Sequence, residues 1–137
     1  MRGWSTEYEQ LEGTMIAHSE IKLLIADDDD LFRETVVDLV GPHFETIAVD
    51  SGEHAIEVVE SKEIHLALLD MHMHVLTGLE TIRILRELVD SLPCILMSSD
   101  VTESLERSAL DLHAFRVLRK PPTRKLLLDT IEAALQL

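Results

Sequence analysis

Residues 21–30 read Ile-Lys-Leu-Leu-Ile-Ala-Asp-Asp-Asp-Asp: an apolar run of strand length that stops at four consecutive carboxylates. A nearly unbroken apolar run suits a strand covered on both faces, because a half-exposed strand alternates. Four more short runs follow, at residues 46–49, 66–69, 94–97 and 116–118. Between them the apolar residues recur at helical spacing. Phe32, Val36, Leu39 and Val40 share one face of the first such stretch. Ala55, Val58 and Val59 mark the second, and Leu79, Ile82, Leu85 and Val89 the third. Leu105, Ala109 and Leu112 line the fourth, and Leu127, Ile131 and Leu135 the fifth. Helix-start chemistry agrees. Thr77-Gly78-Leu79-Glu80 and Asp100-Val101-Thr102-Glu103 have capping-box form, and Thr123 can cap the last helix. A strand–helix unit repeated five times predicts a doubly wound α/β fold: a five-stranded parallel sheet with helices on both faces.

The 137 residues suffice for one domain with a substantial core. A hydrophobic content of 46% opposes disorder over most of the length, and an aromatic content of 4% predicts an aliphatic core. The net charge of −14 excludes nucleic acid and anionic membrane surfaces as direct partners, since both need a basic footprint. It leaves divalent cations and basic protein surfaces open. The lone cysteine, Cys94, sits in the apolar run CILM and reads as a buried small hydrophobe. One cysteine forms no intrachain disulfide, which fits a reducing, cytoplasmic setting. No window is long and apolar enough to span a membrane, and the N-terminus lacks a secretory apolar stretch. Residues 1–20 read as a polar tail, expected to be flexible, with residues 21–137 forming the domain. Trp4 and Tyr8, in that tail, are candidate docking rings.

In a parallel α/β sheet, functional groups gather just beyond the carboxyl ends of the strands. After the first strand come Asp27 to Asp30; after the third, Asp70; after the fourth, Ser98 and Ser99; after the fifth, Lys120. Carboxylates crowded on one edge repel one another and favour a cation, and oxygen ligands suit Mg²⁺. A carboxylate can act as a nucleophile towards phosphorus, while a metal and a lysine neutralise the transferring phosphoryl group. Taken singly, each residue has a duller explanation: an acidic turn, a strand-end cap, a loop hydroxyl, a surface lysine. Their joint register is what carries the inference.

The segments LLIADDDD, LALLDMHM…TG, ILMSS and VLRKP, in that order, resemble the receiver domains of bacterial two-component response regulators. The resemblance covers about residues 21–137. Separations of 42 from Asp28 to Asp70, 28 to Ser98 and 22 to Lys120 support it. It implies a flavodoxin-like (βα)5 fold with strand order 2-1-3-4-5. It also implies that Asp70 is the phosphoacceptor and that Asp28, Asp27, Asp70 and the His72 backbone carbonyl hold Mg²⁺. Ser98 takes the switch-hydroxyl position, Ser99 is the small residue that leaves room for phosphate, and Lys120 is the site lysine, often joined to Pro121 by a cis bond in this family. The implied phosphodonor is a sensor histidine kinase or histidine phosphotransfer protein. The implied output is a conformational change read by a downstream protein, or a dimer, through the face of the fourth helix, fifth strand and fifth helix. Such a domain is not an enzyme beyond its own phosphorylation and dephosphorylation. Since no output module follows Leu137, the chain is expected to act through protein partners or to be excised from a longer one.

The chain departs from the family pattern in places. His74 replaces a proline, Thr77 an aspartate of an Asp-Gly pair, and His113 a glycine. Val117 stands where a switch aromatic is common, and Pro122 where an aromatic often follows Lys-Pro. Phe115 reads as core rather than as a substitute ring. Leu126 to Leu128 read as core, or partly as a dimer or partner contact. Asp70-x-His72-x-His74 is a possible transition-metal pattern, set against solvent-facing loop histidines. A His72–Asp100 contact is expected to tune dephosphorylation. Two rivals remain: a pseudo-receiver that binds proteins without phosphorylation, and a haloacid-dehalogenase-like phosphohydrolase. The second expects an Asp where this chain has His72.

Overall fold

The structure is a computed structural model that describes residues 8–11 and 14–137. Its main body alternates strands and helices as the apolar runs require. The elements are β3 (Lys22–Ala26), α1 (Asp30–Val40), β4 (Glu45–Val49), α2 (Gly52–Ser61), β5 (Leu66–Asp70), α3 (Gly78–Leu88), β6 (Cys94–Ser98), α4 (Glu103–Asp111), β7 (Arg116–Arg119) and α5 (Arg124–Leu135). The five strands are parallel in the order β4-β3-β5-β6-β7, which is the expected 2-1-3-4-5 counted within this sheet. Before them, β1 (Tyr8–Leu11) and β2 (Thr14–Ala17) form an antiparallel pair, with Tyr8 opposite Ala17 and Leu11 opposite Thr14. The tail pattern did not anticipate this pairing, because two four-residue runs are too short to show a period. The Trp4 and Tyr8 side chains lie outside the described part of the structure.

Successive strand residues point to opposite faces, and the core divides accordingly. Leu23 and Ile25 face Val36, Val40, Leu127 and Ile131, so α1 and α5 cover one side. Leu24 and Ala26 face Ala55, Val58, Ile82 and Leu85, so α2 and α3, with Ala109 of α4, cover the other. Every residue of β5 and β6 is buried, which explains why those runs do not alternate. Cys94 is buried among them. No helix of the described residues is long and apolar enough to cross a membrane.

Each helix begins at the carboxyl edge of the sheet with an oxygen-bearing cap. Asp29, Ser51, Thr77, Thr102 and Thr123 accept the first free backbone N–H groups, and Thr77 with Glu80 closes a full capping box. The cap of α4 is Thr102, not Asp100. Asp100 is held instead in the turn after β6, where its N–H donates to Ser98 Oγ at 3.2 Å. At the opposite edge, Arg86 of α3 donates from Nε to the Leu112 carbonyl at 3.0 Å and from Nη2 to that of His113 at 2.9 Å. These bonds satisfy carbonyls left over at the end of α4. His113 has φ 58°, the left-handed region that favours glycine, which accounts for the family's glycine there. Phe115 is 40% exposed, so its expected core role is corrected: it begins the approach to an edge strand whose outer side is open. Leu127 and Leu128 are core, whereas Leu126 is exposed.

Candidate functional site

β3 and β5 are adjacent, so the residues that follow them are brought side by side. Asp27 leaves the end of β3 and Asp70 is the last residue of β5. One carboxylate oxygen from each of Asp27, Asp28 and Asp70 lies within 4.8 Å of the others. Asp27 and Asp70 are buried and Asp28 is open to solvent, so the cluster is a pit with one wet side. Lys120, beyond β7, reaches across the sheet edge. Its Nζ lies 2.9 Å from Asp27 Oδ2 and 3.1 Å from Asp70 Oδ1. The peptide bond between Lys120 and Pro121 is cis, as the resemblance implied.

The acidic loop is locked from several directions. Asp27 Oδ1 accepts the Asp29 N–H at 2.9 Å, and Asp29 Oδ1 in turn accepts the N–H groups of Leu31 and Phe32. Arg33 donates to the Asp27 carbonyl at 2.7 Å and to Asp30 at 2.6 Å. Asp29 is thus the cap of α1 and Asp30 stays at the surface, paired with Arg33. Gly78 is needed for the other wall. Its N–H donates to the Met71 carbonyl at 2.9 Å, and a Cβ there would lie 2.6 Å from the Asp70 carbonyl oxygen. α3 can therefore abut the end of β5 only with glycine at that place.

The electrostatics follow from this crowding. Burial, and then the charge of Asp27, push the Asp70 carboxyl above its usual range. Lys120 and the His72 backbone N–H oppose that without cancelling it. For Lys120, burial works downward, but the hydrogen bonds and charges of Asp27 and then Asp70 outweigh it and raise the ammonium above its usual value. The lysine is thus firmly cationic and the pit still carries excess negative charge. Hard oxygen donors, crowded and partly desolvated, fit Mg²⁺ better than a soft metal.

Of the other expected residues, Ser98 ends β6 fully buried, and its hydroxyl donates to the Asp100 carbonyl at 3.2 Å. Ser99 is exposed, and its carbonyl accepts from Arg119 at 3.2 Å. His72 and His74 are exposed and take no part in the ligand cluster, so the Asp-x-His-x-His pattern does not assemble among the described residues. Val75 has φ 67° and is 82% exposed, an uncommon conformation for a β-branched residue, in the loop where a proline was missing. Two contributors escaped the sequence. Phe32 read only as core, yet its ring centroid lies 4.1 Å from Lys120 Nζ. Arg33 lies three residues after Asp30, the spacing of a helical ion pair, and that spacing is the sequence signal for it.

Comparison with known proteins bears on the family and the fold. The model of the response regulator receiver domain matches residues 23–132. The chain is 27% identical over 117 residues to response regulator RR06 of Streptococcus pneumoniae, covering 85% of this chain and 54% of that protein. It is 28% identical over 124 residues to the transcriptional regulatory protein DegU of Brevibacillus brevis, covering 88% and 52%. The chain therefore spans about half the length of these relatives. Among solved structures, a CheY-like receiver domain protein from Methanospirillum hungatei shares the fold with a TM-score of 0.82 at 20% identity, over 86% of this chain and 95% of that one. Sequence match and fold agree, and the chain belongs to the response regulator receiver domain family.

Proposed function

We propose that this chain accepts a phosphoryl group on Asp70 and signals by the conformational change that follows. The observation that carries this reading is the meeting of Asp27, Asp28, Asp70 and Lys120 at one edge of the sheet, with Asp70 at the tip of a central, fully buried strand. A sensor histidine kinase or histidine phosphotransfer protein supplies the group. An Asp70 carboxylate oxygen attacks phosphorus, the phosphorus–nitrogen bond of the donor breaks, and the imidazole leaves with a proton. Asp27, Asp28, Asp70 and the His72 carbonyl would hold Mg²⁺, which when bound supplies Lewis-acid stabilisation of the phosphoryl oxygens. Lys120 neutralises further charge from the opposite side. Ser98, now turned to Asp100, is placed to exchange that bond for one to a phosphoryl oxygen, and exposed Ser99 leaves space for it.

Val117 offers no ring to relay that change. The Arg119–Ser99 bond instead links the edge of β7 to the turn after Ser98. The output face of α4, β7 and α5 exposes Leu110 at 69%, Phe115 and Leu126, beside Arg116, Arg119, Arg124 and Lys125. That mixture suits a protein target or a second copy in the cytoplasm. Incubation with acetyl phosphate and Mg²⁺, followed by mass spectrometry of the intact protein, tests the proposal. One phosphoryl group is expected on the wild type and none on Asp70→Ala. A wild type left unmodified would favour the pseudo-receiver.

A further inference from the structure

Lys120 holds two carboxylates in the structure, and both belong to the proposed metal set. A divalent cation would compete for those same carboxylates and would repel the ammonium. Something that does not compete for carboxylates must then keep the lysine at the site. The Phe32 ring is such a group: its centroid lies 4.1 Å from Nζ, within cation–π range. We infer that Phe32 is a positioning residue, an aromatic seat that holds the Lys120 ammonium beside Asp70 whether or not the carboxylates are otherwise engaged. This rests on the function proposed above.

The seat is built rather than incidental. The Phe32 N–H donates to Asp29 Oδ1 at 3.2 Å, the Asp29 N–H donates to Asp27 Oδ1 at 2.9 Å, and Asp27 Oδ2 meets Lys120. The Phe32 backbone, the acidic loop and the lysine are thus linked in one chain of contacts, which fixes the point on α1 from which the ring reaches Lys120. Phe32 also packs on the core shared with α1 and α5. A purely structural role for that packing is the competing explanation. Lys120 is 16% exposed, so water screens the cation–π contact only in part.

The test separates charge from shape. In the metal-free protein, the Lys120 ε-methylene protons are expected upfield of those of other lysines because of the ring current. They should move to ordinary positions in Phe32→Leu and stay upfield when Mg²⁺ is added to the wild type. Mono-, di- and trifluorophenylalanine at position 32 keep the ring's shape while draining its face of negative charge. The acetyl phosphate phosphorylation rate should fall stepwise along that series, by roughly three- to tenfold in all, and Phe32→Trp should retain it. Ordinary Lys120 shifts in the wild type, their loss on adding Mg²⁺, or a flat rate across the fluorinated series would each overturn the seat. A wild type that takes no phosphoryl group at all would count against the proposed function, while the metal-free spectra would still decide the seat.

Discussion

Replacing Asp70 by Asn removes one negative charge from the pit and leaves its shape unchanged. Asp70 is attracted by Lys120 at 3.1 Å, worth about 5 kcal/mol at an effective dielectric constant of about 20. It is repelled by the Asp27 carboxylate within 4.8 Å, worth about 3 kcal/mol on the same scale, and by Asp28, which water screens. Burial of the carboxylate costs several kcal/mol more. These contributions nearly cancel, and the raised pKa of Asp70 gives the sign of the remainder: the fold opposes its charge. In the metal-free protein at neutral pH, Asp70→Asn should therefore stabilise by about 1 kcal/mol, raising Tm by roughly 3 °C. An Asp whose folded pKa exceeds its ordinary 3.8 contributes most below that value, and its contribution is lost as pH rises through the folded value. The gain of the variant should thus vanish near pH 3.8 and reach a plateau above the folded pKa. Mg²⁺ should invert the order by stabilising the wild type more. Thermal melts at several pH values, with chelator and with Mg²⁺, measure all of this. A variant less stable than wild type at neutral pH, or one whose advantage persists unchanged at low pH, would refute charge crowding as the cause.

Three further outcomes are expected. Gly78→Ala must push against the Asp70 carbonyl and Met71 Cα, so it should destabilise by about 2 kcal/mol and slow phosphorylation of Asp70; chemical denaturation and phosphodonor kinetics report the two effects. His113→Gly should stabilise by about 1 kcal/mol by relieving the left-handed backbone, seen as a higher denaturation midpoint with an unchanged slope. Cys94, whose thiol burial pushes up to about 11, should resist iodoacetamide at pH 8 in the folded protein and react once it is unfolded.

The sheet was legible in the sequence because its strands are covered on both faces, so residues such as those of β5 and β6 declare themselves without alternation. The meeting of Asp27, Asp28, Asp70 and Lys120 followed from strand-end placement, since a parallel sheet puts those ends on one edge. What stayed hidden depends on side-chain reach between distant segments. Phe32 has the spacing of a core residue, and nothing local says that a lysine 88 positions on will lie over its ring. Arg86 gave no hint that it would serve carbonyls at the end of α4. Asp100 has the residue type of a cap, but it is engaged by Ser98, and Thr102 caps α4 in its place. Phe115 is apolar but sits beside an edge strand, where apolar character does not ensure burial.

The identity of the group that takes phosphorus can be read directly. Borohydride reduction of the protein after treatment with acetyl phosphate and Mg²⁺ converts an aspartyl phosphate to homoserine, which peptide mass spectrometry locates. Homoserine at position 70, lost when Mg²⁺ is chelated, is the result expected. Homoserine at Asp27 or Asp28 with Asp70 intact, or its absence from a protein shown to be folded and loaded with Mg²⁺, would contradict it.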